Sequence, residues 1–300
     1  MVDEPRQGAP SVRVRRLART LAGWRAESGK TLEEVAKEVG WSRSKQSRIE
    51  SASAPIAPVD VLALAMYFER PGGERETTFQ EARVAAAPHW WDRAPVDAFF
   101  PDVRDYIALE AEAAEVHTYK VDVVPGLFQT EDYARAVEQA SFFADERGDE
   151  GWDEICEHRV RARLLRQDRL REEVPLEVRA VLAEAALHVR VGGDKTWRGQ
   201  LERLAELMAL PNVELRILRN SAGAHPAMGY PFTLLRFDGD EPDVCYIELL
   251  RSGLYVEREA ELRPYRLAFD DVWERAAGQE KSRELVEALM SADAADPGKP

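Results

Sequence analysis

Cysteine is nearly absent from this chain: Cys156 and Cys245 are the only two in 300 residues. Neither stands at a metal-box spacing, so a zinc module and a disulfide framework are excluded, and both thiols are expected to pack as small apolar residues. No apolar run approaches the roughly 18 residues that a membrane span requires, and no secretory leader is read ahead of the first helix, so the expectation is a cytoplasmic protein without a membrane partner. The sequence contains no phosphate-cradling glycine loop, no dinucleotide fingerprint, no metal box and no internal repeat. Net positive charge is also lacking, at −14 over the chain, but the deficit is uneven. Residues 1–70 carry 12 Lys+Arg against 9 Asp+Glu, a net of +3, and residues 71–300 carry 29 against 46, a net of −17. A basic head on an acidic body fits a head that meets phosphate and a body that does not.

What is present is concentrated in Thr31–Glu50, TLEEVAKEVGWSRSKQSRIE. Thr31 followed by Glu34 has the capping-box spacing that opens a helix. Leu32, Val35, Ala36 and Val39 then form one apolar stripe at helical period. Gly40 supplies the positive-φ residue that ends it. Ser42 caps a second short helix whose exposed positions Arg43, Ser44, Lys45, Ser47 and Arg48 are all hydrogen-bond donors. A polar helix without an acid before Glu50, propped by an amphipathic one across a glycine turn, suits insertion into the DNA major groove. An ordinary helical hairpin without DNA contact is the plainer account, but capping, glycine turn and donor run together argue against it.

This stretch resembles the helix-turn-helix of the XRE family of bacterial transcriptional regulators, whose usual pattern is T-Q-E-E-L-A, a glycine turn, then S-x-x-x-[IV]-S-x-[IL]-E. Leu32 departs from the family glutamine that touches the DNA backbone. Gln46 departs from a core Val or Ile, so its amide needs a partner or must point outward. The resemblance implies a pair between Arg25 and Glu50 that locks the helices near the DNA backbone. The residues expected at the DNA are Thr31, Ser42, Arg43, Ser44, Lys45, Ser47 and Arg48, with Arg43 or Arg48 reading a guanine.

Around this motif the chain divides into a disordered leader (1–10), a helix-turn-helix domain (11–70), a helical hinge (71–100), a regulatory domain (101–290) and an unfolded tail (291–300). Val14, Leu17, Leu21 and Trp24 mark a helix before the motif, with Arg13, Arg15, Arg16 and Arg19 at its start, and Pro58 opens another that runs to Phe68. His89-Trp90-Trp91-Asp92 in the hinge reads as a packing anchor. The body is expected to be α+β with a small antiparallel sheet. A helix is expected over 103–117 and strands over 176–182, 213–218, 232–237 and 244–249. A final long helix, 257–290, is expected to break near Pro264 and Gly278. Asp153–Arg171 carries six arginines, read as an ion-pairing face or a surface for an acidic partner.

VPGLFQTEDYA (124–134), SAGAHP (221–226) and PFTLLRF (231–237) resemble the C-terminal domain of WhiJ-like regulators. That resemblance implies a repressor-like or antitoxin-like regulator, often working with a small protein encoded nearby, and implies no catalytic activity. Gln129, Thr130, Ser221 and His225 are the residues of these segments marked for a partner or ligand. As chemistry they are weak: Ser221 and His225 lack a G-x-S-x-G elbow, and Glu184 with His188 make no metal site at i, i+4. The reading is a DNA-binding regulator, not an enzyme, with no cofactor or metal. Its expected partners are operator double-stranded DNA, a second copy of itself and a small protein, and it is nucleoid-associated when bound. Two alternatives stay open, a small-molecule sensor and an enzyme fused to a DNA-binding head.

Overall fold

Five helices build the N-terminal part of the computed structural model, which describes residues 12–87, 101–141, 151–239, 241–250 and 252–295. They are α1 (Val12–Glu27), α2 (Leu32–Glu38), α3 (Arg43–Glu50), α4 (Pro58–Tyr67) and α5 (Gly72–Ala85). The chain splits into two units, Met1–Arg93 and Ala94–Pro300. The leader 1–10 and His89-Trp90-Trp91-Asp92 lie outside the described residues.

The head's core is the sum of its apolar stripes. Leu17, Leu21 and Trp24 of α1 meet Val35 of α2, Ile49 of α3, Val61 and Leu64 of α4, and Ala82 of α5. Leu21, Val35, Val61 and Leu64 are fully buried, each worth about 1.5–3 kcal/mol of apolar transfer. The hinge expected over 71–100 therefore begins too early. Gly72–Ala85 is a helix of the head, holding Ala82 in its core and Glu74 at 2.9 Å from Trp24 Nε1. Pro71 stands at the N-cap position of α5, where its fixed φ suits a helix start better than a break.

The body follows with α6 (Pro101–Glu112), β1 (Glu115–Lys120), α7 (Glu131–Ser141), α8 (Trp152–Arg166), β2 (Glu177–Ala183), α9 (Gly193–Leu207), β3 (Val213–Leu218), β4 (Phe232–Arg236), β5 (Val244–Glu248), β6 (Gly253–Val256), α10 (Glu259–Arg275) and α11 (Gln279–Ala295). The class is α+β, but the sheet is six-stranded and mixed, in the order β3-β2-β1-β4-β5-β6. β1 and β2 are parallel, as are β2 and β3, while β1–β4, β4–β5 and β5–β6 are antiparallel. The antiparallel expectation is corrected on two counts: the helix between β2 and β3 makes them a parallel pair, and the helix expected over 103–117 gives way to a strand at Glu115. The Ala/Glu-rich run ends its helix at Glu112, and Glu115–Lys120 becomes the strand between β2 and β4.

One face of the sheet carries Tyr119, Phe232, Leu234 and Cys245, packed on Leu262, Phe269 and Val272 of α10. Both cysteines are free and buried, and burial pushes the Cys245 thiol up to about 12. The last long helix is continuous through Pro264 and breaks at Gly278. The break serves β3, an outermost strand: Ala277 N donates to Ile217 O at 2.9 Å, Leu215 N donates to Gln279 Oε1 and Ile217 N to Ser282 Oγ. Backbone donors on the outer edge of β3 are thereby satisfied and covered, which guards against pairing with another chain. α11 runs to Ala295, so the first half of the tail expected to be unfolded is helical, and 296–300 lie outside the described residues.

Candidate nucleic-acid interface

Both short helices of the motif are closed by their own side chains. Thr31 Oγ1 accepts from Glu34 N at 3.3 Å while Glu34 Oε2 accepts from Thr31 N at 2.7 Å, a reciprocal capping box. After α2 the chain turns through Gly40 at φ +75°, and Trp41 N donates back to Ala36 O at 2.7 Å. Ser42 Oγ then accepts from Lys45 N at 3.1 Å to start α3. The hydroxyls of Thr31 and Ser42 are thus occupied with capping.

The faces of α3 follow from its period. Gln46 and Ile49 are buried against the head, and on the other side Arg43, Ser44 and Arg48 are exposed with Ser47 half-buried between them. These four make one contiguous surface, since positions three and four apart are neighbours on a helix, as 44 and 47, 43 and 47, and 44 and 48 are. Lys45 does not join them. Its ammonium donates to Asp60 Oδ1 of α4 at 2.7 Å and lies 4.2 Å over the Trp41 ring. Arg43 pairs with Glu33 of α2, both well exposed. Among the described residues Arg48 is the cation of α3 without an ion pair.

Beneath this surface Arg25 Nε is 2.8 Å from each Glu50 oxygen, and its Nη1 donates to Lys30 O at 3.0 Å. Gln46 is fully buried and donates its amide to Glu50 Oε1 at 2.8 Å. The pairs Glu33–Arg43, Lys45–Asp60 and Gln46–Glu50 went unread in the sequence. Each joins residues whose proximity depends on how the helices pack or on how a side chain turns inward.

In the body, Gln129 is 4% exposed and its amide donates to Val124 O, and Thr130 Oγ1 accepts from Tyr133 N to cap α7. Buried glutamines clamp the same segment: Gln200 accepts from Thr130 N at 2.7 Å and donates to Phe128 O, and Gln167 donates to Gln129 O at 2.8 Å. Ser221 is exposed. His225 Nε2 lies 3.4 Å from the Tyr119 hydroxyl, and no hydrogen bond joins it to Ser221 among the described residues. Glu184 accepts from Asn220 N at 2.8 Å, an ordinary loop anchor. No group of three or more His, Cys, Asp or Glu among the described residues is placed to hold a metal, and no described helix is long and apolar enough to cross a membrane. On the sheet face away from α10 there is a cavity of about 400 Å³ lined in part by α6, α8 and the Asp122–Gln129 turn.

Two family models match the chain. One, described as a helix-turn-helix domain, covers residues 16–77 and so takes in most of α1, all of α2, α3 and α4, and the start of α5. The other, described as a domain of unknown function (DUF5753), covers residues 103–288, more than half of the sequence. No curated protein and no solved structure matches it.

Proposed function

The chain belongs to the DUF5753 family, here joined to a helix-turn-helix domain, and on that premise we propose that it is a sequence-specific DNA-binding transcriptional regulator of the XRE type. The observation that carries this reading is the outer face of α3, where Arg43, Ser44, Ser47 and Arg48 are grouped while Arg25, Gln46 and Glu50 fix the helix from below. Four donors on one helix face match the acceptor-rich major-groove edge of guanine. The net charge of +3 on residues 1–70 supports two heads on a two-fold operator, since one head neutralises few phosphates.

The body acts by binding and not by catalysis in this reading. Its resemblance to WhiJ-like regulators supports a repressor-like or antitoxin-like role with a small protein encoded nearby. The cavity beside the sheet supports a second reading, in which the body senses a small molecule. The test is selection of genomic fragments by the purified full-length chain, followed by anisotropy titration of the enriched sequence. Enrichment of one palindromic site, bound well above random DNA at the same salt, is the expected result. Uniform binding of all fragments, or none, refutes it.

A further inference from the structure

The floor of the cavity is formed by alternate residues of three neighbouring strands. Val116, Thr118 and Lys120 of β1 share a face, and the register places Thr118 beside Thr233 of β4 and Thr233 beside Tyr246 of β5, with Glu248 two residues on. Thr118 and Thr233 are 3% and 2% exposed in mid-sheet, where apolar residues usually sit, and their hydroxyls bond to each other at 2.9 Å. Over this floor stand Tyr106 and Glu110 of α6, Glu138 of α7, and Arg159, Arg163 and Arg166 of α8. Three of the four arginines of α8, at i, i+4 and i+7, thus face one cavity, while Arg169 and Arg171 of the basic run lie beyond the helix end.

Charge around the cavity is layered. Arg166 is bidentate to Glu110, and Arg159 and Arg163 both pair with Glu138. The two carboxylates keep only 2% and 6% of their side-chain surface, whereas Arg159, Arg163, Arg166 and Lys120 keep 16, 19, 13 and 18%. The cations of the inner wall therefore keep more surface than the carboxylates paired with them, and the exposed acids of the lining are Asp122 and Glu248, toward its rim. Beside them Tyr106 and Tyr246 stack at 4.4 Å, and Leu249 and Leu250 are left exposed at the lip. Glu248, half-exposed and 3.5 Å from Lys120, reports the field: Lys120 first, then Arg163 and Arg166, hold its carboxylate below the usual range, overcoming desolvation.

We propose that this cavity binds a small organic carboxylate with an apolar or aromatic body. The head group sits between Lys120 and the arginines of α8 in the place Glu248 now borders, and the body lies on the tyrosine pair and the leucine lip. A volume of about 400 Å³ is that of a small-molecule site, large for a bare inorganic anion. The site is argued from the body alone and does not depend on DNA binding.

The test is calorimetric titration of the full-length chain with four probes: 3-phenylpropionate, 3-phenylpropanol, 3-phenylpropylamine and inorganic phosphate. Saturable millimolar binding of the carboxylate alone is expected. Lys120→Met should weaken it roughly tenfold, the effect of losing one charge-assisted hydrogen bond. Glu248→Gln should tighten it, because a competing carboxylate is gone; this residue is exposed enough for the variant to fold, so it decides the matter even if Lys120→Met does not fold. No saturable binding, equal binding of the alcohol or amine, equal binding of phosphate, or indifference to Glu248→Gln overturns the proposal. None of these outcomes bears on operator selection, so the two readings fail separately.

Discussion

Gln46 donates its amide to Glu50 one turn along α3, and the same carboxylate receives Arg25 from α1 across 25 positions of sequence. One carboxylate thus joins two buried or half-buried donors, and Gln46 Oε1 is left without a partner among the described residues. Removing the shared acceptor and removing one donor should have very different effects. Glu50→Ala should destabilise the head by about 2–4 kcal/mol, since it strands a guanidinium and an amide. Gln46→Met should stay within about 1 kcal/mol, because it keeps the volume and deletes the orphaned oxygen. Hydrogen exchange of head amides in the full chain distinguishes them, and equal protection losses would mean the network is not the lock.

Arg43 and Arg48 should differ at DNA. Arg48→Ala should cost about 1–3 kcal/mol of operator affinity and relax preference at one base pair. Arg43 must first leave Glu33, an exposed pair worth about 0–1 kcal/mol. Glu33→Gln should therefore raise affinity, by releasing Arg43 and removing an acid beside the phosphates. Anisotropy titrations of the two variants and the unaltered chain at one salt concentration measure this. An affinity loss in Glu33→Gln would show that the acid helps to place Arg43.

Two heads should leave a salt signature. The plot of log affinity against log salt should fall by about 0.9 for each phosphate neutralised, and the full-length chain on a two-fold site should show roughly twice the slope of a half-site. Equal slopes on half and full sites would remove the dimer.

The body should lose stability in mild acid. His117 is 7% exposed and stacked on Phe269 at 4.9 Å, and burial, then Arg236, hold its pKa below the ordinary value, with Glu115 opposing. His225 is lowered by burial too. As pH falls through about 6.5 the unfolded chain takes up protons that the folded chain resists, so stability decreases from there downward. His117→Gln should flatten the fall in melting temperature between pH about 7.5 and 5.5. An unchanged pH profile in the variant would assign the loss to other groups.

Local chemistry made the head legible. Thr31, Glu34, Gly40 and Ser42 act within a few residues of themselves, and the stripes of α1, α2 and α4 bury what their period says they should. Four of the six strands could likewise be read from alternation. The tertiary structure decided what depends on distant partners. Glu115–Lys120 follows an Ala/Glu-rich run that reads as helix; its Val, Thr and Tyr suit a strand, but its place in mid-sheet is decided by β2 and β4, which offer backbone partners on both sides. Gly72–Ala85 belongs to the head because α1 and α4 leave a groove for Ala82. The six arginines of 159–171 read alike in sequence. Three of them face a cavity only because α8 is set over the threonine floor of the sheet, and that placement is fixed by packing among elements separated by more than a hundred residues.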